Sequence, residues 1–243
     1  MDGKVYLYQN IYGELTMQKI VREFLGACAD WAAGGAVPPR ALAVAVAELE
    51  PPRISQPAAA RDYLWRILSY PERGRALAMI NAVNLLGELF PSWTDNVSRQ
   101  DHALRAVEEI HLERWSEGLT VYAFQRVCAF HDAGVDGRLN GWALTALATL
   151  LCAADDDAAS YISSLLLDLT ALEVTEGEGA RLTGIITEFP TVYTQLARGE
   201  HDHYRVLPGT VVAALAHLLA DAEFDPEHRA AAIAAADGWL RLA

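Results

Sequence analysis

Cysteine is scarce in this chain: Cys28, Cys128 and Cys152 are the only three in 243 residues. An odd, widely scattered set is no disulfide framework and fits reduced thiols in a cytoplasmic core. Lysine is scarcer still. All basic residues except Lys4 and Lys19 are arginine, which with the abundant alanine points to a GC-rich bacterial genome. Long apolar runs are missing too. The longest, Ala143 to Ala154, is interrupted by threonines and is too short to span a bilayer. Met1-Asp2-Gly3-Lys4 leads into Tyr, Gln and Asn rather than an apolar core, so no export signal is expected. A glycine-rich phosphate loop, a Gly-x-Ser-x-Gly elbow, a Cys-x-x-Cys pair and a His-Glu-x-x-His helix are all absent, which removes the commonest enzyme signatures.

What is present is apolar and acidic. The hydrophobic fraction is 52%, enough to bury a substantial core. Net charge is −13 and uneven: residues 1–139 carry 17 acids and 14 bases, residues 140–243 carry 15 acids and 5 bases. A C-terminal half of that sign repels phosphates, so neither nucleic acid nor a membrane is an expected partner, whereas a protein with a basic surface is.

The pattern along the chain is helical almost throughout. Lys4 to Tyr8 reads as a short strand or ordered arm, and Thr16 as an N-cap. Behind Thr16, Ile20, Phe24, Cys28 and Trp31 share a face with Val21 and Leu25, ending at Gly34-Gly35. Pro38-Pro39 and Pro57 open two further helices, and Pro71 opens a longer one running to Phe90. Ser98 to Asp101 and Thr175 to Glu178 have the form of capping boxes. Pro190 interrupts the helix behind Thr175. Asp155-Asp156-Asp157 caps a helix through Leu172. Pro208 and Asp225-Pro226-Glu227 open the last two. Between ten and twelve helices in antiparallel pairs are expected: one all-α domain over residues 1–243, stacked as an α-solenoid-like array or a multi-helix bundle, with Ala133 to Asn140 the best candidate hinge.

Residues 139–172 and 208–242 read as two copies of one unit, an Ala/Leu-rich helix, an Asp-containing turn and a second helix. The later copy, with Val211-Val212-Ala213-Ala214-Leu215, the turn Asp221 to Asp225 and His228-Arg229-Ala230-Ala231-Ala232, resembles a HEAT- or armadillo-type repeat. That resemblance implies a stack of helix pairs that binds proteins and performs no chemistry. The composition then suits an acidic adaptor or inhibitor, such as a bacterial immunity-type protein, needing no cofactor.

One spacing points elsewhere. A helix over 99–115 and one over 119–132, joined at Gly118, should pack antiparallel, leaving His102 and His131 only roughly 4–5 Å apart in height, with Asp132 adjacent. Two imidazoles and a carboxylate form a mixed N/O site for a divalent metal. His102 and the segment Ala129-Phe130-His131-Asp132-Ala133-Gly134 resemble the HD-domain phosphohydrolases, which implies a metal-activated water attacking a phosphate ester. The later Asp that this family needs is Asp168 or Asp237, with Asp237 slightly preferred. His201-Asp202-His203 is a second cluster, on a polar loop.

Overall fold

The computed structural model describes residues 3–51, 53–90, 93, 97–110, 115–132, 140–152, 170, 172–221 and 224–242. Within them lie eleven α-helices and no strand. These are α1 (Gly3–Ala32), α2 (Arg40–Ala47), α3 (Pro57–Ser69), α4 (Arg73–Ala82), α5 (Leu86–Leu89), α6 (Val97–Glu109), α7 (Val121–Asp132), α8 (Gly141–Leu151), α9 (Glu176–Ala197), α10 (Pro208–Ala220) and α11 (Pro226–Leu242); a 3₁₀ turn spans Ser116–Gly118.

α10 explains the architecture. Its sequence carries no charge from Pro208 to Ala220, and all thirteen residues are buried. A helix that is apolar all round must be enclosed, and α6, α7, α8, α9 and α11 all pack on it. The arrangement is therefore a multi-helix bundle around one central rod. α1 to α4 form a second layer, joined to the first where α3 meets α8 and α4 meets α6. One continuous core runs through both, from Phe24, Leu68 and Leu77 to Leu147, Val211 and Trp239.

Local signals account for several helix starts. Pro57 is at the first turn of α3. Thr175 and Glu178 form the complete reciprocal capping box of α9. Asp225 accepts hydrogen bonds from the backbone N–H of Glu227 and His228 at the start of α11. The buried stripe of α1, with Val21, Phe24, Leu25 and Cys28, is the predicted one.

Other expectations are corrected. Lys4 to Tyr8 is helix, not strand, and Thr16 lies inside α1 rather than at its cap. Without a partner strand an extended segment leaves its backbone unpaired, which a helix avoids by itself. The long helix expected from Pro71 to Phe90 begins at Arg73 and breaks after Ala82, because Asn84 is left-handed at φ 57°. Pro190 does not interrupt α9, which runs unbroken from Glu176 to Ala197. Interior proline costs about 3 kcal/mol. Burial of Leu182, Ile185, Ile186 and Phe189 before it, and of Val192 and Leu196 after it, offsets that cost. The Asp155-Asp156-Asp157 cap, the candidate hinge and most of the second helix of the 139–172 unit lie outside the described residues.

Candidate functional site

His131 lies at the end of α7, fully buried. The start of α8 closes on it so tightly that a Cβ at Gly141 would stand 2.5 Å from the Phe130 carbonyl oxygen and 2.7 Å from His131 Cα. Trp142 then stacks on the imidazole at 3.8 Å, with Phe130 edge-on. Nδ1 is 2.6 Å from the Val127 carbonyl oxygen and Nε2 is 2.9 Å from Thr145 Oγ1. A carbonyl only accepts, so Nδ1 carries the proton and Nε2 accepts from the threonine hydroxyl. Both nitrogens are engaged in the neutral form. Burial is the main reason that protonation is pushed down to about 3, and the nearby Arg73 adds to it; the Val127 bond opposes.

His102, on α6, does not meet His131. Its ring lies against His217 of α10, with centroids 5.1 Å apart and planes tilted by 35°. His217 is buried, flanked edge-on by Phe189 of α9, and its Nε2 donates to the Thr149 carbonyl at 2.9 Å. Burial and the neighbouring His102 push its protonation down to about 3. His102, half-buried, is also lowered, by desolvation and then Arg105, while Asp221 raises it. The reason for the separation is α10. Thr145, the partner of His131, abuts Gly209, whereas His102 abuts His217, eight residues or about 12 Å further along the same helix. α6 stops at Glu109, and both α6 and α7 pack on α10 rather than pairing as the expected hairpin.

Asp237 is buried but occupied. Its Oδ1 accepts from the Thr120 backbone N–H at 2.7 Å and from Thr120 Oγ1 at 2.8 Å. The Thr120 oxygen in turn accepts from Ala123 N–H, so Asp237 orients the N-cap of α7. Its Oδ2 meets Arg241 at 3.1 Å. Asp132 is exposed at the end of α7. Asp168 lies outside the described residues. Among the described residues no three His, Cys, Asp or Glu side chains gather in a metal-binding group.

The other interior charges serve helix ends as well, a role the sequence reading missed. Arg53 donates to Glu88 at 2.7 Å and to the carbonyls of Val83 and Asn84, where α4 breaks. Glu88 also accepts from the backbone N–H of Arg53 and Ile54. Arg73, buried without a carboxylate partner among the described residues, donates to Tyr70 O and Ile110 O. Those carbonyls close the C-terminal ends of α3 and α6, so two negative dipole ends face one guanidinium. Desolvation still lowers it to about 10. Glu188 of α9 accepts from Leu207 N–H and Thr210 Oγ1 at the start of α10. Only His217, a lone polar residue inside Ala-Leu sequence, carried a signal; Arg53 and Arg73 stand among other polar residues and carried none.

The three thiols are unpaired, and burial pushes Cys28 up to about 12 and Cys152 higher, which leaves both unreactive. An open groove of about 390 Å³ runs along the contact of α4 with α6, lined by Gly74, Arg75, Asp101, Arg105 and Glu108. Arg75 is already paired with Glu72 and Glu108 there. No helix among the described residues is long and apolar enough to cross a membrane. No family model, curated protein or solved structure matches the chain.

Proposed function

We propose that this protein is a non-catalytic, acidic helical module of the bacterial cytoplasm that binds a partner protein through a basic surface on that partner. One observation carries the reading: exposed acids outnumber exposed bases on the C-terminal helices and their loops, while other acids are used within the fold. Glu88, Glu178, Glu188 and Asp237 hold helix N-termini or a buried arginine. On the C-terminal helices and their loops Glu173, Glu176, Glu200, Asp202, Asp225 and Glu227 are exposed, against the exposed bases Arg198, Arg205 and Arg241. A field of that sign steers a cationic partner and weakens with salt. An adaptor or an inhibitor of the immunity type fits it, and a HEAT-like pairing of α10 with α11 is compatible with it.

The alternative is an HD-type phosphohydrolase built on His102, His131 and Asp132 with a divalent metal. It requires His131 to release Val127 or Thr145 and the two imidazoles, held beside opposite ends of α10, to come together. The test compares wild type with Glu176→Gln/Glu200→Gln/Glu227→Gln in quantitative affinity capture at low and high salt. A protein held by wild type, lost at high salt and lost from the triple variant supports the proposal. Near-stoichiometric metal in tag-free protein that disappears in His131→Ala would overturn it in favour of the hydrolase.

A further inference from the structure

The loop after α9 holds two histidines unlike the buried ones. α9 ends with Gly199 in the left-handed region at φ 68°, and Glu200 N–H returns to the Gln195 carbonyl, so the loop leaves the helix in a fixed direction. His201 then lies across α11 at Gly238. A Cβ there would stand 2.7 Å from Cδ2, Cε1 and Nε2 of the imidazole. Glycine inside a helix costs about 1 kcal/mol relative to alanine, and at this position it makes the seat for that ring. Tyr204 anchors the far side of the loop, edge-on to the buried Trp239 at 4.9 Å. Asp202, between the histidines, is held by His203 N–H and the Gln195 amide.

His203 is exposed, and its ring centroid lies 6.3 Å from that of His201, with planes at 81°. Neither imidazole makes a hydrogen bond with the described residues. His131 and His217, by contrast, are committed to the backbone and to Thr145. An imidazole nitrogen binds zinc at about 2.0–2.1 Å, which puts the ion roughly 3 Å from the ring centre. Two rings 6.3 Å apart can therefore share one ion once the exposed His203 side chain turns its nitrogen inward.

We infer that His201 and His203 form a two-imidazole chelate for a borderline divalent ion of the zinc, nickel or copper class, seated on α11 by Gly238. Imidazole donors select these ions over magnesium and calcium, which prefer oxygen. The remaining coordination positions face solvent and take water.

The experiment is a calorimetric titration of tag-free full-length protein with Zn²⁺, repeated with Ni²⁺ and with Mg²⁺. The expected result is one equivalent of Zn²⁺ or Ni²⁺ and no Mg²⁺. His201→Asn and His203→Asn should each weaken binding roughly tenfold or more. Gly238→Ala keeps both imidazoles and dislodges the first, so it should weaken binding too. His228→Asn, an exposed control on the same helix, should leave it unchanged. Absent binding in wild type, binding that survives both loop variants or Gly238→Ala, or equal loss in His228→Asn would overturn the assignment. Far-UV circular dichroism of each variant establishes that the helices persist.

Discussion

Asp237→Ala separates a structural carboxylate from a metal ligand. The wild-type side chain accepts two hydrogen bonds from Thr120, at 2.7 and 2.8 Å, in a site where the residue is 6% exposed. A hydrogen bond to a charged group contributes about 1.5–3 kcal/mol, and a donor left buried without a partner costs about 1–3. The two bonds share one oxygen and one residue, so they do not add in full. The Arg241 contact is half exposed on the arginine side and contributes less than about 1 kcal/mol. Truncation to alanine should therefore cost about 2–4 kcal/mol and lower Tm by roughly 5–12 °C. Asp237→Asn keeps an acceptor oxygen and should lose less than half of that. Urea unfolding in excess chelator is the assay, since a helix cap is indifferent to chelation whereas a metal ligand is not. A loss below about 0.5 kcal/mol in chelator would refute the capping argument, because that is the range of a neutral surface change.

Two further outcomes follow from buried charge. Arg53→Met leaves Glu88 without its guanidinium and should cost about 3 kcal/mol by urea midpoint, with Arg53→Met/Glu88→Gln recovering much of it. His131 and His217 titrate near 3 when folded, against about 6.5 when unfolded. Their pKa values are depressed, so stability is fully present above pH 6.5 and drains as pH falls toward 3, by up to about 1.4 kcal/mol per pH unit for each imidazole. Urea midpoints between pH 7 and pH 4.5 should fall, and His217→Gln should flatten the slope; a flat profile in wild type would sink this account.

Much of the fold was legible in local sequence. A helix end is written in a few adjacent residues, as at Pro57, Thr175 and Asp225, and a buried stripe in a period of 3.6, as at Val21, Phe24, Leu25 and Cys28. The candidate site was not. Pairing His102 with His131 assumed that helices joined by a short turn lie side by side. The helix that sits against both comes from residues 208–220, and only its charge-free composition hinted that it would be enclosed. Likewise Pro190 alone predicts a break, yet packing carries α9 through it unbroken, whereas the helix expected through Asn84 ends there because asparagine tolerates the left-handed backbone it adopts. Asp237 was noticed as a carboxylate on an apolar helix, but its partner Thr120 lies 117 positions away, beyond any spacing argument.

The enclosure of α10 also sets an order of assembly. α1, α3 and α4 touch one another early in the chain and can begin to pack while the rest is being made. α6 to α9 bury their inner faces on a helix that does not yet exist when they leave the ribosome. Until Ala220 has emerged, those faces have only each other or a chaperone. A helix of thirteen uncharged residues thus enters among four neighbours made before it, and α11, made after it, packs on it last.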